Sequence, residues 1–99
     1  MKAVVWRPMA EAEREKIFDY IAKDNPKAAL ELDAEFSAKA EIARQHPHLY
    51  KPSQRMKGYR EIVVRPNYIM VYRVTKTSVI ITSIKHARRQ WPKGSSDGA

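Results

Sequence analysis

The sequence predicts an α+β fold: a helical hairpin packed on a small antiparallel sheet, with elements in the order β-α-α-β-β-β. Three observations carry this. Residues 8–45 hold two stretches with apolar residues recurring at steps of three and four, the period of a helix with one buried face. Residues 59–85 hold three runs rich in β-branched and aromatic residues, separated by two short turns, the pattern of an antiparallel meander. The chain has 99 residues, enough for one hydrophobic core and too few for two.

Each element has a local reason. KAVVW (2–6) is a short apolar run and the first strand, expected to join the sheet at an edge. Pro8 suits a helix start, and a first helix follows over roughly 8–23. Its acids Glu11, Glu13 and Glu15 lie early, where the helix dipole favours them. Ile17, Phe18 and Ile21 mark its buried face. Asn25-Pro26 pairs an N-cap with a first-turn proline and opens a second helix that runs to about Gln45. Ala29, Leu32, Phe36, Ala40 and Ala43 form its apolar stripe, with small residues that permit close approach. The connection between the helices is so short that they must form an antiparallel hairpin.

HPHLYKPSQRMKG (46–58) is a loop punctuated by two prolines and a final glycine. The strands YREIVV (59–64), YIMVYRV (68–74) and SVIITSIK (78–85) follow. The middle one is apolar on both faces, so it belongs at the centre of the sheet with both faces covered. KGSSDGA (93–99) has the composition of a linker and is expected to be disordered, leaving residues 1–92 as the single domain.

Composition bounds the function. There is no cysteine, which excludes disulfides, thiol nucleophiles and thiolate metal sites. MKAVVWRPMAEAE lacks the apolar core of a signal peptide, and no apolar run approaches a membrane span, so a cytoplasmic protein without membrane contact is expected. The net charge of +8 is unevenly placed. Residues 1–50 hold 8 Lys/Arg against 9 Asp/Glu, while residues 51–99 hold 11 against 2. The second half therefore expects an anionic partner, a nucleic acid or an acidic protein. A basic nucleic-acid-binding domain without further activity fits poorly, because glycine-rich loops and an aromatic stacking platform are missing.

Three stretches together resemble the RelE/ParE superfamily of type II toxin–antitoxin toxins. WRPMAEAEREKIFDYIAKDNPKAA is similar to the family's opening strand and helix, YREIVVRPNYIMVYRV to its paired central strands, and IITSIKHARRQWP to its last strand with a His-x-Arg ending. The resemblance spans residues 3–92. It implies a toxin that arrests growth, works without metal or cofactor, and is neutralised by a cognate antitoxin with an acidic or disordered C-terminal segment. Plasmid stabilisation is among the family's roles.

The superfamily divides by mechanism. RelE-like members cut mRNA on the 70S ribosome by attack of a ribose 2′-oxygen, which needs a base, cations for the developing charge and an acid. Carried onto this chain, the candidates are Arg60, Arg73, His86 and Arg88. Ile62 and Ile69 stand where further cations would be expected, and Trp91 cannot donate the proton a C-terminal tyrosine would. His46 and His48 could act as an acid–base pair near neutral pH, though the plainer reading makes them loop residues.

ParE-like members poison DNA gyrase and need a presented surface. The candidates for target or antitoxin binding are Arg60, Arg65, Arg73, Lys85, His86, Arg88 and Arg89, with Trp91 as an aromatic anchor. Alternation along the strands puts Arg60 and Arg73 at outward positions, where a solvated sheet face would account for them as well. His86 could equally be a strand-end histidine bonded to a neighbour, and Trp91 a cap on the core edge. The missing strand cations favour the gyrase inhibitor, with the ribosome-dependent mRNA endonuclease as the alternative.

Overall fold

The expected order of elements is found in a computed structural model of the chain, which describes residues 2–88. They are β1 (Ala3–Trp6), α1 (Pro8–Ala22), α2 (Pro26–Gln45), β2 (Arg60–Val64), β3 (Tyr68–Val74) and β4 (Ser78–His86). Arg89, Trp91 and the expected tail, 93–99, lie outside the described residues. Both helices begin with proline, whose missing N–H costs nothing at that position. At α2 the Asn25 side chain also accepts the Ala28 amide, at 3.1 Å.

The sheet order is β1-β4-β3-β2. β2, β3 and β4 form the antiparallel meander, and β3 is interior, as its two apolar faces require. β1 lies at the edge beside β4, but it runs parallel to it, from Ala3↔Ser78 to Trp6↔Ile81. The sheet is therefore mixed, a correction to an all-antiparallel expectation. Tight turns impose opposite directions only on consecutive strands. Between β1 and β4 lies every other element of the fold, so no turn constrains their direction.

The helices cover one face of the sheet. Leu32, Phe36, Ala40 and Ala43 of α2 meet Met70 and Tyr72 of β3, Ile62 and Val64 of β2, and Val79, Ile81 and Ile84 of β4 in one core. The whole predicted α2 stripe is buried. The α1 face is corrected: Ala10 is its one fully buried residue, Ile17 and Ile21 pack at the core margin, and Phe18 lies half-buried outside that core. On the outer face, Ile69 and Val71 are covered by Met56, Tyr59 and Ala87. Met56 comes from the 46–58 loop, which turns back at Gly58, where φ is +86° and only glycine is unstrained; Tyr59 follows that turn, and Ala87 follows β4.

Among the described residues, Tyr72 is the largest fully buried side chain. Its hydroxyl donates to the Pro47 carbonyl at 2.7 Å, and its ring meets Tyr50 edge-on at 6.4 Å. Burial pushes its pKa up to about 12, against the opposing pull of the Arg60 cation. An unfolded tyrosine ionises near 10, so between these values the unfolded state binds fewer protons and stability falls as pH rises. The expected loss is about 2–3 kcal/mol across that window. Urea denaturation of Tyr72→Phe between pH 9 and 12 checks this: the variant should lose less stability with pH than the native chain, and parallel curves would refute it.

Candidate functional site

The register sorts the predicted site residues onto two ends of the sheet and onto two faces. His86 pairs with Tyr68, and the Ala87 amide donates to the Asn67 carbonyl at 2.6 Å. This brings the end of β4 beside the β2–β3 turn, so Arg65, Lys85, His86 and Arg88 share one end. Arg60, opposite Tyr72, and Arg73, opposite Ile80, lie toward the other.

At the first end most groups are already engaged. Arg65 has φ +53°, a left-handed turn position, and its Nε donates to Glu35 Oε1 of α2 at 2.8 Å. Lys85 Nζ is held by Glu13 of α1. The His86 ring packs edge-on against Tyr68 at 5.4 Å, and Tyr68 packs edge-on against Phe36 at 5.9 Å. His86 Nδ1 accepts the Arg88 amide at 3.2 Å, and Arg88 is exposed. The strand-end histidine bonded to its neighbours is therefore the arrangement seen.

At the other end the expectation of two outward arginines fails for Arg60. Arg60, Ile62 and Val64 alternate onto the helix-covered face with Tyr72 and Met70, and Arg60 Nη1 donates to the Tyr50 carbonyl at 2.6 Å. Arg73 has the opposite parity and lies on the outer face. Alternation alone gives relative faces within one strand. Only the pairing of Arg60 with Tyr72 shows that the two arginines diverge.

His46 caps the C-terminus of α2 through its amide, which donates to Ile42 O at 2.8 Å, and both His46 and His48 are exposed. Among the described residues, no three His, Asp or Glu side chains gather as a metal-binding group. Two clefts exist. One of about 470 Å³ is lined by Trp6, Glu11, Arg14, Glu15, Phe18, Asp19 and Asp33, and one of about 440 Å³ by Lys51, Pro52, Gln54, Arg55 and Glu61. Neither holds the predicted site residues.

Two acids escaped sequence reasoning. Glu61 is 9% exposed and its Oε2 accepts Ser53 Oγ at 2.6 Å, with Arg55 Nη1 at 3.5 Å. Ser53 Oγ in turn accepts the Arg55 and Met56 amides, so this carboxylate pins the loop to the outer edge of β2. A signal existed: Glu61 is one of only two acids in the basic half. Glu13 looked like a dipole acid, but of the three early acids only Glu11 falls in the first turn.

Comparison with known proteins matches this fold and order. The family model described as the ParE toxin of the type II toxin–antitoxin system parDE matches residues 4–91. "Putative toxin Y4kP" of Sinorhizobium fredii is 32% identical over 93 residues, covering 93% of this chain and 95% of that protein. Toxin RelE2 of Caulobacter vibrioides is 33% identical over 89 residues, covering 90% of this chain and 99% of its own. Among solved structures, one titled as the chromosomal ParDE system of P. aeruginosa shares the fold at TM-score 0.77 and 20% identity, covering 87% of this chain and 96% of the other. YafQ of E. coli shares it at TM-score 0.59 and 18% identity, covering 88% and 94%. The chain belongs to the ParE toxin family, within the RelE/ParE group of type II toxin–antitoxin toxins.

Proposed function

We propose that the chain, once free of its cognate antitoxin, arrests growth by inhibiting DNA gyrase. The sheet register supports this reading over the ribosome-dependent nuclease. Cleavage through a ribose 2′-oxygen needs a base, a cation and an acid within hydrogen-bond reach of one phosphodiester. Arg60 and Arg73 face opposite sides of the sheet. The partner of His86 is Tyr68, four residues along β3 from Tyr72, the partner of Arg60. At strand rise that is roughly 13 Å. One phosphodiester cannot meet all three.

Gyrase inhibition asks for a surface, and the candidate is the end of β4: His86 and Arg88, followed in sequence by Arg89 and Trp91. Arg65 lies at the same end of the sheet. The antitoxin would meet the same basic half through an acidic or disordered segment, because charge complementarity steers association and disorder lets a chain wrap a surface. Gyrase is a cytoplasmic target, so the chain would act in the cytoplasm. Among the described residues no helix is long and apolar enough to cross a membrane.

The test adds antitoxin-free protein to gyrase and plasmid and reads supercoiling and trapped cleavage complexes on a gel. Inhibition near stoichiometry is expected. Arg73→Ala should inhibit as well as the native chain, and Arg60→Ala should lose about 1–3 kcal/mol of stability from its buried-side hydrogen bond while still inhibiting. A folded chain that leaves gyrase untouched, and whose mRNA cleavage on programmed ribosomes is abolished by Arg60→Ala or Arg73→Ala, would overturn the reading in favour of the nuclease.

A further inference from the structure

We propose that Glu13 is a positioning residue for toxicity: from α1 it fixes the C-terminal end of β4 and so sets segment 85–88, which ends in the exposed Arg88. The inference rests on the reading above that this segment faces the target, and it holds for either target.

β1 supports β4 only as far as the Trp6↔Ile81 pair and the Arg7 amide, which donates to the Ile81 carbonyl at 2.9 Å. β4 continues to His86 with no strand on that side among the described residues. The β3–β4 register breaks between Val71 and Tyr72, whose partners are Ser83 and Ile81, so Thr82 is an extra residue. Its Oγ1 donates to the Val71 carbonyl at 3.1 Å. An extra residue reverses which backbone groups point to each side of a strand. Before it, Ile81 offers its carbonyl to β1. After it, the amide of Ile84 points the same way, beyond the end of β1.

Ile84 is 2% exposed, and a buried amide without an acceptor is costly. Glu13 supplies the acceptor. Its Oε1 takes the Ile84 N–H at 2.9 Å, and its Oε2 takes Lys85 Nζ. One carboxylate on α1 thus grips two successive residues of the last strand, three residues before the exposed Arg88. A second consequence follows for Lys85. Its charge is paired with Glu13, so among the described residues the exposed cation this segment offers a target is Arg88.

The test expresses the chain without antitoxin from an inducible promoter and reads growth arrest, alongside amide hydrogen exchange of the purified protein. Glu13→Ala should raise survivors at least about tenfold and speed exchange at Ile84 by a similar factor, while Phe36 in α2 keeps its protection. Glu13→Gln keeps a carbonyl oxygen for Ile84 and should arrest growth nearly as the native chain does. Ile21→Ala, two turns further along α1 and matched in Tm loss, should still arrest growth, which separates positioning from loss of stability. If Glu13→Ala fails to fold, Glu13→Asp serves: it keeps the charge, falls short of the Ile84 amide, and should lose arrest. Full arrest by Glu13→Ala or Glu13→Asp, loss of arrest in Glu13→Gln, or a native chain that arrests nothing would overturn the proposal. Arrest without any effect on gyrase would sink the gyrase reading alone and leave these comparisons intact.

Discussion

Phe36→Ala should destabilise the chain by about 3–5 kcal/mol, the range for removing a buried phenylalanine ring. Phe36 is 1% exposed at the middle of the α2 stripe, where it seals the helices against the sheet. Its ring meets Tyr68 edge-on at 5.9 Å, and Tyr68 meets His86 the same way at 5.4 Å. The loss therefore includes aromatic contact as well as burial. It also reaches the end of β4, because Tyr68 would have a void on one side. Small domains carry about 5–15 kcal/mol in total, so the variant should show a large drop in urea midpoint with an unchanged slope. A loss under about 1 kcal/mol would mean that Phe36 is not packed as described.

Arg14→Lys should cost about 1–2 kcal/mol, far more than a surface exchange of like charges. Arg14 ties α1 to α2. Its Nε reaches Asp33 Oδ1 at 2.6 Å, and its Nη2 reaches Asp33 Oδ2 at 3.0 Å, the Asp33 carbonyl at 2.9 Å and Ser37 Oγ at 2.6 Å. The guanidinium also lies 4.7 Å over the Trp6 ring. A lysine ammonium is a point charge without the planar fork, so it cannot serve the carboxylate, the carbonyl and the ring at once. The Asp33 side chain is 36% exposed, which screens the ionic part. Most of the expected loss comes from hydrogen-bond geometry and stacking. Thermal melting checks it, and an unchanged Tm in Arg14→Lys would show that charge alone holds the hairpin.

How legible the fold was depended on how local its causes were. The α2 stripe was readable because helical period and burial are one fact stated twice, and all five predicted residues are buried. Asn25-Pro26 was readable because an N-cap acts within three residues. Phe18 was misplaced for the opposite reason. A weakly amphipathic α1 leaves several rotations open, and the one adopted is decided by the alanine at position 10 entering the core.

The candidate site was less legible. The cations could be named, but their grouping could not. Arg60 and Arg73 looked alike in sequence. They differ because β2 pairs with β3 in the register that sets Arg60 against Tyr72. Lys85 looked free until Glu13, 72 residues away in sequence, was found to hold it. No local pattern encodes such a pair.

The element order, the central place of β3, the buried stripe of α2 and the membership of a toxin family are all written in the amino-acid sequence, because short-range period, turn chemistry and shared pattern carry them. Tertiary structure alone decided the parallel direction of β1, the faces on which the arginines lie and the clamp of Glu13 on β4. Those depend on strand register and on contacts between distant segments. A shift of one residue in register would exchange every face and leave the local sequence pattern unchanged.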